Sequence, residues 1–177
     1  MPINIETNEV NVKTMDSTQV DVVDDFKYLE SCVPSTERDI KIREAQAWKV
    51  LHDTKKIWKS RLSPQLKRQV FVASVESVLL YGCETWTLTA QMEHNTDGVY
   101  TRMLRSVLSV SWEDDTKNVD LYGTLHPVTD KIRARRMGLA GHCVRHPELV
   151  ASNLILWEPK HGTHSWGRPA TTYIDTQ

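Results

Sequence analysis

With 177 residues, 40% of them hydrophobic and 25% charged, the chain has the size and composition of one globular domain, which excludes fibrous and wholly disordered classes. A formal net charge of −1 gives no whole-chain reason to expect a polyanionic partner, so the distribution of charge matters more than its total. The apolar runs, Val70 to Ala73 and Val78 to Tyr81, fall far below the ~18 residues of a membrane span, and the start of the chain has neither a basic nor an apolar signal region.

Residues 1–30 are acidic: Glu6, Glu9, Asp16, Asp21, Asp24, Asp25 and Glu30 stand against Lys13 and Lys27. Within this stretch, Val10-Asn11-Val12 and Val20-Asp21-Val22 alternate as short half-buried strands do, and Phe26-Lys27-Tyr28-Leu29 reads as another. After a break at Pro34-Ser35, Thr36 and Asp39 form an [ST]-x-x-[DE] capping box. Ile40, Ala47, Leu51, Thr54 and Trp58 then share one face of a helix predicted over 36–60.

Ser63-Pro64 is an N-cap followed by an N1 proline. Leu66 to Tyr81 is a helix apolar nearly all round, which Gly82 stops. A third helix is predicted from about Ala90 to Ser109, with Met92, Val99, Met103 and Val107 as its inner stripe and Gly98 weakening its middle. Glu113 to Asn118 reads as a polar loop, and His126-Pro127 as a turn before a fourth helix, capped by Thr129 and running to about Arg145. That helix is basic, with Lys131, Arg133, Arg135, Arg136 and Arg145 against Asp130. The tail from Pro159 to Pro169 is turn-rich and irregular. Cys32, Cys83 and Cys143 lie far apart, which suits a reducing setting, so the expected location is intracellular, cytoplasmic or nuclear, with no membrane partner.

Several stretches, read in order, resemble the region after the catalytic aspartates of non-LTR, LINE-type retrotransposon reverse transcriptases (endonuclease-reverse transcriptases). Pro2-Ile3-Asn4 resembles the family's "GL-x-I-N" segment, and Phe26-Lys27-Tyr28-Leu29 the "FKYLGS" primer-grip strand. Val78 to Trp86 resembles "LLYGCETW". Tyr100 to Arg105, Arg135-Arg136-Met137 with Gly141-His142, and Trp157-Glu158-Pro159 leading to Gly167-Arg168-Pro169 follow in the family's order. The chain departs from the pattern at Glu6 to Glu9, where the family has "KTK", and at Glu30, where it has glycine.

The resemblance implies a mainly α fold. A short N-terminal β segment (1–34, a palm-edge and primer-grip remnant) precedes a helical thumb-like bundle (35–112), then a basic helix and an irregular tail (113–177). It also implies derivation from an RNA-directed DNA polymerase whose catalytic aspartates are not in this chain, so no enzymatic activity is expected of the chain by itself. Templated polymerisation needs carboxylates that hold two metal ions about 4 Å apart, and Asp24-Asp25 and Asp114-Asp115 instead read as solvated surface acids. No cofactor is expected, magnesium belonging to the complete polymerase, and no small-molecule substrate.

What remains is binding of RNA or an RNA/DNA hybrid. Projected at 100° per residue, Lys131, Arg135, His142 and Arg145 share a sector of ~80° on the fourth helix, while Arg133 and Arg136 face the apolar side as partners for acids. On the first helix Lys41, Lys49, His52, Lys56 and Lys59 gather opposite the apolar stripe, and Trp166 and Arg168 stand in the tail. Trp48, Trp58, Trp86 and Trp112 read as core. Two alternatives stay open. One is a domesticated helical interaction module without nucleic-acid function; the other is a small zinc-stabilised module using Cys143, His146, His161 and His164.

Overall fold

The computed structural model describes residues 35–150 and Ser152, apart from the Trp112 side chain, together with the backbone of four short strands before them. The chain divides into two compact units, Met1–Ser35 and Thr36–Gln177. In the first, β1 (Val12–Lys13) pairs antiparallel with β2 (Gln19–Val20), and β3 (Phe26–Tyr28) with β4 (Ser31–Val33). The register Phe26↔Val33, Lys27↔Cys32 and Tyr28↔Ser31 pairs the primer-grip-like residues with the strand that follows. The rest of the expected palm edge, Leu29 included, lies outside the described residues.

The second unit is helical. α1 (Thr36–Asp53) presents Ile40, Ala47 and Leu51 to the core at the spacing the sequence predicts. Thr36 and Asp39 serve as more than a cap. The Thr36 hydroxyl oxygen accepts from the Thr87 N–H at 3.3 Å, and Asp39 is buried, its Oδ2 accepting from Trp86 Nε1 at 2.7 Å.

The predicted 36–60 helix is broken at Thr54. This residue leaves helical geometry and turns its hydroxyl back to the Val50 carbonyl at 2.6 Å, a bond that competes with the helical ladder. α2 (Lys55–Trp58) resumes at once and buries Trp58, whose Nε1 donates to the Leu51 carbonyl at 2.9 Å.

Ser63 and Pro64 start α3 (Pro64–Phe71), the serine accepting from the Leu66 N–H. A π-helical turn, Val72–Glu76, follows, and α4 (Ser77–Leu79) completes the run. This run crosses the centre of the core with Phe71, Val75, Leu79 and Leu80. Each such side chain contributes roughly 1.5–3 kcal/mol by its burial. Two features differ from the prediction: the run is not a regular α-helix, and Gln69, Ala73 and Ser77 mark an exposed side. Gly82 stops it in the left-handed conformation, φ 72°.

α5 (Ala90–Leu108) starts at Thr89, whose hydroxyl accepts from the Met92 N–H, and ends at Ser109 with φ 57°. It buries Val99, Tyr100, Met103, Leu104 and Val107. The segment read as a loop holds a 3-10 turn, Trp112–Asp114, and runs into a short helix, α6 (Asn118–Tyr122), anchored by buried Leu121. Arg68 of α3 reaches the far end of α6, donating to the carbonyls of Leu121 (3.0 Å) and Asp120 (2.9 Å). Gly123 then turns with φ 60°, and a β-carbon there would stand 3.1 Å from the Arg68 guanidinium.

α7 (Val128–Arg145) has the predicted extent but not the predicted cap. Thr129 lies inside the first turn, and Asp97 of α5 serves that turn instead, accepting from the Thr129 N–H at 3.2 Å and from its hydroxyl at 2.7 Å. A carboxylate at a helix N-terminus is favourably placed with respect to the dipole. α7 packs on α5 and on the turn after Gly82, so the unit continues through residue 112 without a break.

Candidate nucleic-acid interface

Because Ile40, Ala47, Leu51 and Trp58 turn inward, α1 and α2 leave their lysines outside. Lys49, His52, Lys56 and Lys59 are all exposed, and so are Lys55 and Arg61, which the helical projection did not single out. A charge count would have found them, since Asp53 is the single acid between residues 49 and 61. Half-buried Trp48 stacks on His52, ring centroids 5.9 Å apart and planes at 28°. Among the described residues no acid forms an ion pair with Lys49, Lys56 or Lys59.

Lys41, on the first turns of α1, is different. Its Nζ lies 2.6 Å from Glu37 Oε1, and this lysine holds the Glu37 carboxyl below its ordinary range.

The α7 sector is occupied from within at its first half. Lys131 Nζ donates to Glu76 Oε2 (2.6 Å) and to the Tyr100 hydroxyl oxygen (2.9 Å), and the Tyr100 hydroxyl itself donates to Glu76. Burial, and then the neighbouring Glu76, raises the Tyr100 phenol far above its ordinary value. Arg135 Nη1 donates to the Leu80 carbonyl at 2.9 Å and stands 3.8 Å from Glu84 Oε1. His142 and Arg145 remain exposed at the other end. Arg133, placed by the sequence toward acids, meets Glu93 at 2.7 Å and Asp130 at 3.7 Å, and Arg136 is buried.

The stretch resembling "LLYGCETW" joins three helices. Leu80 takes Arg135 of α7, and Trp86 holds Asp39 of α1. The Tyr81 ring covers the Arg43 guanidinium at 4.6 Å, with Arg43 Nε 3.9 Å from Asp39 Oδ1. Cys83 is buried, and burial, with Glu84 beside it, pushes its thiol up to about 11. Sequence reading missed Glu76 altogether, although an acid inside the apolar run Val70 to Leu80 is itself a signal of a buried partner.

The other candidates are placed as follows. Asp114 Oδ2 accepts from the Ser111 N–H at 2.6 Å in a capping box, and Asp115 is exposed with φ 44°, so this pair closes a 3-10 turn. Cys143 is buried while His146 is exposed with Nδ1 3.1 Å from Glu148 Oε1, so the helix turns these two zinc candidates to different environments. His161, His164, Trp166, Arg168 and Asp24-Asp25 lie outside the described residues. Among the described residues no group of three or more His, Cys, Asp or Glu side chains could hold a metal ion, and no helix is long and apolar enough to cross a membrane. A cleft of about 520 Å³ opens between α5, α6 and the start of α7, lined by Asp97, Thr101, Val119, Tyr122, Leu125 and Pro127.

No protein-family model matches the chain, and no solved structure matches it. Among curated proteins, the chain is similar to an uncharacterized transposon-derived protein of Caenorhabditis elegans, 23% identical over 171 residues, which covers 90% of this chain. The chain spans 61% of that relative's length. The similarity supports a transposon origin.

Proposed function

We propose that the chain is the C-terminal part of a non-LTR retrotransposon reverse transcriptase, inert as a polymerase by itself, whose helical unit holds RNA or an RNA/DNA hybrid without sequence preference. The observation that carries the binding reading is the exposed basic edge of α1 and α2, where Lys49, Lys56 and Lys59 have no acid partner among the described residues. Cations left free of internal pairs are the ones that can displace counterions from a phosphate backbone, and Trp48 with His52 gives that edge an aromatic surface. In this reading Phe26 to Leu29 is a primer-grip remnant, and the ordered sequence blocks and the transposon-derived relative supply the lineage.

Anisotropy of a labelled RNA and of an RNA/DNA hybrid, titrated between about 50 and 200 mM salt, tests it. Affinity should fall steeply with salt and differ little between sequences. A flat profile, or no binding at low salt, would refute the reading. That result would favour a helical interaction module, for which the cleft beside α6 and the exposed Val119 at its rim speak.

A further inference from the structure

The geometry points to a two-histidine site for a divalent transition metal, of the copper(II) or nickel(II) class, at the C-terminal end of α7. His142 and His146 are one helical turn apart, and the turn is intact, the His146 N–H donating to the His142 carbonyl at 3.1 Å. Both side chains are exposed, with ring centroids 4.6 Å apart and planes inclined by 46°. With a metal about 2.1 Å from each nitrogen, two imidazoles in adjacent positions at about 90° place their centroids roughly 4.5 Å apart, against roughly 5.2 Å at the tetrahedral angle. The observed spacing fits the square-planar or octahedral arrangement, which copper(II) and nickel(II) prefer, better than the tetrahedral one of structural zinc.

A second observation concerns the other side of one ring. Glu148 Oε1 lies 3.1 Å from His146 Nδ1, so a carboxylate accepts from Nδ1–H and leaves Nε2 as the free donor. This is the arrangement by which carboxylates orient metal-binding histidines. The site also sits at the negative end of the α7 dipole, where a cation is favoured.

One charge opposes it: Arg145, in the same turn, whose guanidinium extends over Gly141. No third side-chain donor joins the pair among the described residues, so water completes the coordination and binding is labile. Cys143, buried on the apolar side, takes no part. Occupancy would staple the last turn of α7.

The test is a titration of the full chain with copper(II) and nickel(II) at neutral pH, followed by calorimetry and, for copper, by the nitrogen splitting in its paramagnetic resonance spectrum. One equivalent should bind with two imidazole nitrogens in the spectrum. His142→Ala and His146→Ala should each abolish that signature, Glu148→Gln should weaken binding about tenfold, and Arg145→Gln should strengthen it. The paired variant His161→Ala/His164→Ala should keep it. Because the substituted side chains are exposed, circular dichroism should show all variants folded. Unchanged binding in the His142 and His146 variants, or a loss confined to the His161/His164 variant, would overturn the proposal.

Discussion

Lys131 reaches from α7 to within 2.6 Å of Glu76, a residue of the π-helical turn 55 positions earlier in the chain. Both side chains are largely withdrawn from water, and Tyr100 of α5 closes the group. A lysine on a basic helix is thus committed to the core.

Removing one partner of this pair should cost far more than removing both. Glu76→Ala leaves a buried ammonium uncompensated and should lower unfolding stability by about 3–5 kcal/mol, whereas Glu76→Leu with Lys131→Met should recover most of the loss. Urea denaturation of the two singles and the double variant measures the coupling. Additive losses would mean the pair is not a unit.

Trp86→Phe keeps the ring volume of the core close to native but takes the N–H from Asp39, and should cost about 1–3 kcal/mol. The same substitution made in an Asp39→Asn background should cost less, because the acceptor left behind no longer carries charge. Equal losses in both backgrounds would show that packing alone is at stake.

Burial raises the Glu44 carboxyl above its ordinary range, with Arg102 and Lys41 partly offsetting it. A carboxyl whose folded pKa is raised binds its proton more tightly when folded. Its contribution is therefore fully present below the unfolded pKa of about 4.3 and is lost as pH rises through the higher folded value. Glu44→Gln, which cannot ionise, should raise the melting temperature at neutral pH and lose that advantage in acid. A melting-temperature difference that stays constant with pH would contradict this.

For nucleic-acid binding, the expected effects separate the two basic helices. Lys49→Ala, Lys56→Ala and Lys59→Ala should each weaken RNA binding similarly across sequences and reduce the salt slope by about 1, whereas Arg135→Ala should leave the slope unchanged while lowering stability. Anisotropy over a salt series reads the first effect and thermal melts the second. A slope that drops with Arg135→Ala and not with the α2 lysines would move the interface to α7.

The local signals were legible in the sequence. Ser63-Pro64, Thr89 and Gly82 act within a few residues of themselves, and each starts or stops a helix where its chemistry says it should. Asp39 was harder, because Trp86, its partner, lies 47 residues away. Helical projection gave the direction of Lys131 and Arg135 but not what they would meet. Directions alone cannot separate a phosphate-facing cation from one paired with Glu76 or the Leu80 carbonyl. α6 was hidden by its polar composition, since Leu121 is the side chain that buries it and Arg68, far upstream, satisfies its end. For α7, Thr129 is a plausible cap by type, yet Asp97 supplies the acceptor from another helix.

The π-helical turn at Val72–Glu76 also bears on how such a chain can be inherited. A turn of this kind amounts to one residue inserted into an α-helix. Deleting any single residue within it would restore the regular ladder and rotate everything that follows by about 100°. Leu79 and Leu80 would swing out of the core, and the Gly82 turn would be carried away from Asp39 and Arg135 together. Insertions and deletions can accumulate in the polar stretch before α6, where exposed side chains bear little register. Between residues 72 and 76 the helix tolerates changes of letter but not of count, so a lineage of this fold should carry its length there as faithfully as its sequence.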